Sequence, residues 1–307
     1  MMHNEPADQT AFLTLVGSIR ERDAARLLID SIRSFGGALG QSPFWLFEGN
    51  PQEAPCNRLE GLGVRVLPLA VPDQVARYYY GAKVYACARA EDLATSVIRS
   101  LIWLAPEFLI VNPSLLLDLA PSIDAAVRPV HSENVGLLAA EPLDDFWKQI
   151  YETAGTNDVH SPVESFLDAL RIRPYFNTHA FTLDPQKGIC RRWFDCFESL
   201  VCDRGFQLRV CSDQSQQIFL HQAILSAIIV TMLAPHRIRT LPPAYNYPYN
   251  LHPSVPLDRR ALVLNDLVTV ACDERSLDPR VVNDIDIREP LRSWLSTRTP
   301  TDALWEH

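Results

Sequence analysis

The sequence predicts an α/β fold, a mainly parallel mixed sheet layered between helices. Two observations carry this. Over the first hundred residues, short apolar runs ended by Gly or Pro alternate with segments of helical periodicity. That alternation implies parallel strands joined by helices that cover both faces of the sheet. Hydrophobic residues make up 47% of the 307 residues and charged ones 21%, which supplies a substantial core.

Ala11–Val16, ended by Gly17, suits a first buried strand. Glu21–Phe35 follows with Ala25, Leu28, Ile32 and Phe35 at helical spacing, stopped by Gly36 and Gly37. Phe44–Phe47 and Val64–Leu69 read as the next strands, and Gln74–Ala94 as one long helix. Ile98–Leu104 and Phe108–Val111 are strand-like again, with Ala105, Pro106 and Glu107 between them. Past Pro113 the pattern loosens. Ala125–Val130 and Thr178–Leu183 read as strands, Pro142–Tyr151 as a helix with Pro at its start. Ile189–Val201 and Ser215–Met232 read as helices, Leu262–Val270 as an edge strand, and Pro243–Pro256 as a loop. With no internal repeat or low-complexity linker, a single domain over residues 11–300 is expected after a disordered tail at 1–10. Ligands of such sheets bind beyond the carboxyl ends of the strands, which gathers Val16, Gly17, Leu69 and Leu104–Glu107 at one edge.

A formal net charge of −9 argues against broad nucleic-acid binding, which needs a basic surface to displace counterions. The first ten residues carry no basic and apolar leader pattern. The longest apolar run, Ala223–Ala234, is interrupted by Ser226 and Thr231 and stopped by Pro235, too short to span a bilayer. Seven cysteines at irregular spacing, without C-x-x-C, point to a reducing compartment, and a cytoplasmic location is expected. Gly61-Leu62-Gly63 lacks a third glycine and precedes a strand, so it is no dinucleotide fingerprint. P-loop, hydrolase-elbow and zincin motifs are absent from the sequence.

Several constellations admit two readings. The Arg128–Gly136 loop holds Arg128, His131 and Asn134; it could orient a sugar or phosphate by charge-assisted hydrogen bonds, or be a solvated turn. Cys190, Cys196 and Cys202 recur every six residues, steps of about 240° that scatter thiols around a helix. Trp193, Phe194 and Phe197 on that helix suit the core better than a sugar-stacking platform. Asp213 stands where it would cap the helix after it.

Motif order adds a resemblance. Arg173–Phe181 contains Tyr175-Phe176-Asn177-Thr178-His179, an aromatic-Asn-Thr turn entering a strand. Asp213-Gln214 then opens a helix, and Leu241-Pro242-Pro243 precedes Tyr245-Asn246-Tyr247. From Ala11 to Asn246 the chain resembles GT-A glycosyltransferases, loosely those of the glycogenin and bacterial galactosyltransferase kind. The resemblance implies a GT-A-like three-layer α/β/α sandwich. It assigns residues 11–112 to a nucleotide-binding half, 113–260 to an acceptor half, and 261–300 to a segment packing back. The reaction implied is sugar transfer from a nucleotide sugar, a UDP- or GDP-sugar, to an unknown acceptor.

By the same resemblance, Thr14, Val16 and Gly17 hold the base at the end of the first strand. Lys83 lies on the helix beside the donor pocket, as does Arg77; with Arg20, Arg128 and His131, Lys83 would face the diphosphate. Arg77, Tyr78, Tyr79 and Tyr80 cannot all face one way, so most of them are packing or surface. Asn177, Asp213 and Gln214 would hold the transferred sugar, and His179 would narrow the acceptor side where many members have Gly. The family's metal-binding Asp-x-Asp maps to Ala105, Pro106 and Glu107, and only Glu107 is a carboxylate. Val268–Cys272 occupies the region of the family's late His ligand. One carboxylate anchors Mn²⁺ or Mg²⁺ poorly, so weak or no metal dependence is expected, with basic side chains replacing the cation. The alternative is a non-catalytic binding or assembly module that kept the fold. A nucleotidyltransferase of similar topology ranks below both, because no Gly-rich basic loop follows the first strand.

Overall fold

A computed structural model describes residues 9–157, 159, 161–273, 277–280 and 282–298. Positions 1–8 of the expected tail and 299–300 of the C-terminal segment lie outside the described residues. In chain order the elements begin β1 (Thr10–Val16), α1 (Ile19–Phe35), β2 (Phe44–Glu48), β3 (Val64–Pro68), α2 (Asp73–Ala76) and α3 (Gly81–Leu93). They continue β4 (Ser100–Leu104), β5 (Phe108–Ile110), β6 (Ala125–Val127), α4 (Asp145–Ala154), β7 (Val163–Glu164), β8 (Arg171–Ile172) and β9 (Ala180–Leu183). The last are α5 (Ile189–Cys202), α6 (Arg204–Arg209), α7 (Gln214–Met232), β10 (Ile238–Thr240), β11 (Tyr247–Pro248), β12 (Thr269–Ala271) and α8 (Leu291–Ser296). The fold is mixed α/β with a mainly parallel sheet, and the chain divides into two compact units.

The first unit comprises residues 1–68, 102–118 and 241–307. Its strands run in the order β4-β1-β2-β3. β1 and β2 are parallel, with Leu13 opposite Trp45, and β2 and β3 are parallel with Leu46 opposite Val66. Six of the seven β1 residues are buried, as expected of a strand covered on both faces. β3 ends the order with exposed Arg65 and Pro68, residues that discourage further strand pairing. Ser18 Oγ caps α1 by accepting from the Glu21 N–H at 3.2 Å, and the helix buries Ala25, Leu28 and Ile32. The C-terminal segment packs onto α1: Trp294 Nε1 donates to Ser34 Oγ at 2.9 Å, and its ring meets Phe35 edge-on at 5.2 Å.

A small second sheet in this unit runs β11-β12-β5 and corrects two expectations. Of Leu262–Val270 only the end is extended; β12 is the middle strand, parallel to β11 and antiparallel to β5. Asn112 Nδ2 donates to the Leu267 carbonyl at 2.6 Å and also to that of Asn265, and this holds 264–267 in a turn instead of a strand. The Pro243–Pro256 segment is not all loop, since it holds β11 and a 3₁₀ turn at Tyr249–Ser254.

The second unit comprises residues 69–101 and 119–240. β10 pairs parallel with β6, and β6 antiparallel with β9. α5 packs against α3 and α7, and α4 against α7, around the fully buried rings of Trp147 and Trp193. By length and composition α7 could cross a membrane, but Leu220 through Ile229 are all buried in the unit.

Two helix boundaries differ from the sequence pattern. The expected helix over 74–94 breaks into α2 and α3, because Tyr80 turns into the left-handed region (φ 59°). Gly81 follows it, and a Cβ there would sit 2.2 Å from the Val75 carbonyl oxygen. α4 starts at Asp145, not Pro142, because Asp144 supplies the cap, its Oδ1 accepting from the Trp147 N–H at 2.8 Å.

Candidate functional site

In the first unit, the expected base-binding residues lie at the carboxyl end of β1. Thr14 is fully buried, and its Oγ1 donates to the Leu104 carbonyl at 2.8 Å, which ties β1 to the end of β4. Val16 accepts from the Gly49 N–H at 2.8 Å, and the Gly17 N–H donates to Glu21 Oε2 at 2.7 Å. Arg20, in the first turn of α1, donates from Nη2 to the Asp273 carbonyl at 3.1 Å. Asn250 Nδ2 donates to Asp273 Oδ2 at 3.0 Å.

Glu107 sits in the turn between β4 and β5, where the Cys272 N–H donates to its carbonyl at 3.0 Å. Burial pushes its carboxyl up to about 7, the carboxylates of Asp273 and Glu21 add to the rise, and Arg20 opposes it. Burial also raises Asp273, again against Arg20. Glu107 and Asp273 thus both feel one guanidinium, that of Arg20. Asp273 was not legible as a site residue; its only signal is its place directly after the Val268–Cys272 run. Antiparallel pairing of β12 with β5 sets Ala271 opposite Phe108 and so delivers Asp273 to Glu107.

A divalent cation does not fit this set. Glu107 is the one acidic residue of the Ala105–Glu107 turn, and its raised affinity for a proton opposes metal ligation. Among the described residues no group of three or more His, Cys, Asp or Glu side chains could hold a metal ion.

In the second unit, Lys83 and the Tyr175–His179 turn come together. Lys83, two residues into α3 and only 5% exposed, donates from Nζ to the Thr178 carbonyl. Its ammonium also lies 5.6 Å from the Tyr80 ring centroid, and that ring stacks on His221 at 4.1 Å. The turn is held by a polar stripe on α7. Ser226 Oγ accepts from the Phe176 N–H at 2.9 Å, and Gln222 Oε1 from the Thr178 N–H at 3.1 Å. A spacing of four residues puts both acceptors on one helix face. His221 Nε2 pairs with Thr178 Oγ1 at 2.9 Å. Asn177 is 6% exposed, and its Oδ1 accepts from the His179 N–H at 2.7 Å. Burial beside Lys83 lowers His179 to about 4 and His221 well below its ordinary value, so both rings are neutral near pH 7.

The remaining expected residues are placed differently. Arg128 is buried, with its guanidinium 4.2 Å from the Phe166 ring centroid, and His131 meets the same ring edge-on at 6.3 Å. Arg128 joins the turn through its backbone, its carbonyl accepting from the Asn177 N–H at 2.8 Å. Arg77 is exposed. Asp213 caps α7, Oδ1 accepting from the Ser215 N–H at 2.8 Å, and completes a capping box with Gln216. Asp213 and Gln214 are exposed at that helix end. Eight residues of helix, about 12 Å of rise, separate Asp213 from His221. His221 and Gln222 carry no site signal in the sequence, and Ser226 shows there only as a polar interruption of the Ala223–Ala234 run.

A family model described as the Rhodobacterales glycosyltransferase domain matches residues 9–232. Among solved structures, galactosyltransferase LgtC in complex with donor and acceptor sugar analogues has a TM-score of 0.51 at 12% identity, covering 85% of this chain and 86% of that one. The bifunctional glycosyltransferase WbbM, apo, has a TM-score of 0.50 at 11% identity, covering 95% of this chain and 52% of that one. Mouse xyloside xylosyltransferase 1, apo, has a TM-score of 0.42 at 13% identity, covering 78% and 87%. The first two likenesses show the fold, that of the GT-A glycosyltransferases. No curated protein sequence matches.

Proposed function

The chain belongs to the Rhodobacterales glycosyltransferase domain family, and from that premise we propose that it moves a sugar from a nucleoside-diphosphate donor to an acceptor with little or no reliance on a divalent cation. The carrying observation is Lys83, a buried cation whose hydrogen bond to Thr178 fixes it against the Asn177 turn. In the transfer, the bond from the anomeric carbon to the diphosphate breaks and the acceptor hydroxyl replaces it, losing its proton. Negative charge grows on the departing diphosphate, and a preorganised cation in a desolvated site stabilises it without reorganisation. Lys83 takes this role, with Arg20 and Arg128 as further cations and His131 beside Arg128. Thr14, Val16 and Gly17 receive the base, and Asn177, Asp213 and Gln214 address the sugar hydroxyls. The seven cysteines, all free, support a reducing, cytoplasmic setting.

Calorimetry with UDP- and GDP-sugars, in Mn²⁺ and in chelator, tests the proposal. Binding and turnover that survive chelation are expected. If no nucleotide sugar binds under either condition, the reading is wrong.

A second reading, a binding or assembly module without turnover, is favoured by Glu107, at the position to which the resemblance assigns a metal motif, whose affinity for a proton is raised by burial and by the nearby Asp273 and Glu21 carboxylates. It predicts donor binding with no product in a radiolabelled transfer or hydrolysis assay.

A further inference from the structure

Within the second unit, the bend between α2 and α3 faces the end of α5 and α6 across a cavity of about 520 Å³. Tyr78 in the bend donates its hydroxyl to the Val201 carbonyl at 2.6 Å, which fixes Arg77 beside the last turn of α5. Asp203 ends α5 and caps α6, its Oδ1 accepting from the Gly205 N–H at 2.7 Å and the Phe206 N–H at 3.1 Å. α6 anchors inward through buried Phe206, whose ring stacks on Phe146 at 6.3 Å. Arg204, Gln207 and Leu208, at i, i+3 and i+4, share another face, and all three line the cavity. Gln207 Nε2 holds that face to α5 by donating to the Leu200 carbonyl at 3.1 Å.

The lining divides into a cationic and an apolar part. Arg77 and Arg204 are its charged residues. Among the described residues neither guanidinium makes an ion pair or a side-chain hydrogen bond; that of Arg77 lies 5.8 Å from the Tyr78 ring centroid. The acids closest along the chain, Asp73, Glu198 and Asp203, are outside the lining. Asp203 is engaged as the cap, and Glu198 Oε1 accepts from Gln74 Nε2 at 3.1 Å. Tyr78, Val201 and Leu208 form the apolar part, and Leu208 is left 76% exposed. In a chain of net charge −9, two cations that neutralise nothing in the chain, set beside an uncovered leucine, match a ligand with an anionic head and an apolar tail.

We propose that this cavity binds an anionic amphiphile, a phosphate monoester carrying an alkyl chain. Guanidiniums pair with phosphate oxygens by directional, charge-assisted hydrogen bonds, and a monoester of charge about −2 balances two of them. The alkyl chain lies along Tyr78, Val201 and Leu208 and covers apolar surface otherwise open to water. The volume falls inside the range of small-molecule sites. This site goes beyond the transferase reading and stands without it.

Calorimetric titration of the full chain with hexyl phosphate, inorganic phosphate and hexanol tests the site. Hexyl phosphate is expected to bind about tenfold more tightly than phosphate, the scale of burying one apolar group, and hexanol not measurably. Arg204→Gln should weaken both anions about tenfold, whereas Leu208→Ser should weaken hexyl phosphate alone. Both positions are exposed, so neither variant should change the melting temperature. Cys202 also lines the cavity and is the one exposed thiol among the seven, so bound hexyl phosphate should protect it from iodoacetamide, read by mass spectrometry. Hexanol or phosphate binding as tightly as hexyl phosphate would overturn the proposal. So would an affinity for hexyl phosphate unmoved by either variant, Cys202 alkylated in the complex at its free rate, or no anion binding at all.

Discussion

Lys83 Nζ donates its hydrogen bond to the Thr178 carbonyl, so a cation from α3 and the backbone beside Asn177 are fixed to each other. A buried ammonium is costly, and here Tyr80, His179 and His221 surround it with rings. Lys83→Met keeps the aliphatic stem and removes the charge. It should leave the melting temperature nearly unchanged, weaken donor binding at least tenfold, and lower kcat by roughly 10²–10³-fold, the scale for losing one preorganised transition-state donor. Thermal melts, calorimetry and steady-state kinetics check the three parts.

The α7 stripe gives a prediction about stability. Gln222→Ala leaves the buried Thr178 N–H without its side-chain acceptor, and Ser226→Ala does the same to Phe176. Each should cost roughly 1–3 kcal/mol, the penalty for an unsatisfied buried donor. The pair should be non-additive, because both acceptors hold one turn. Urea unfolding of the two single variants and the double variant measures this.

Asp213 allows its two roles to be separated. Asp213→Ala removes the cap and should cost about 1 kcal/mol. Asp213→Asn still caps and should be nearly as stable as the parent. If the carboxylate also touches the sugar, the Asn variant loses turnover while keeping its melting temperature. A purely structural Asp213 leaves Asn activity intact, and a kinetic assay paired with a melt decides between them.

Two groups should pull the pH dependence of stability in opposite directions. Glu107 rises from 4.5 to about 7 on folding. Between those values the folded state holds a proton that the unfolded state has lost, so stability falls as pH rises. His179 drops from 6.5 to about 4. Between 4 and 6.5 the unfolded state holds the extra proton, so stability rises with pH, and His221 adds to that rise. Glu107→Gln should therefore steepen the increase of stability from pH 4.5 to 6.5, while His179→Gln should flatten it, because the His221 rise is then opposed by the Glu107 decrease. Melting temperature across pH 4 to 8, each variant against the parent, reads out both signs.

What the sequence made legible follows from how local each signal is. β1, α1, β2 and α5 announce themselves by periodicity and glycine stops, and α7 by its length and the Asp213 cap. The Tyr175–His179 turn is visible as a motif. Its supports are not, because Gln222 and Ser226 select their partners across the fold and a linear chain does not say which backbone donors they meet. Asp273 is hidden for the same reason, since strand pairing between β12 and β5 brings it to Glu107. The break between α2 and α3 eluded periodicity because Tyr78, Tyr79 and Tyr80 suit a helix as well as a bend.

That bend has an effect at a distance. The Val75 carbonyl oxygen would lie 2.2 Å from a methyl group at position 81, so even alanine there has to prise α2 and α3 apart. Lys83 stands on the first turn after this pinch and would be carried off with it. The resting place of the ammonium is thus dictated by a carbon atom left out two residues upstream, where no chemistry occurs.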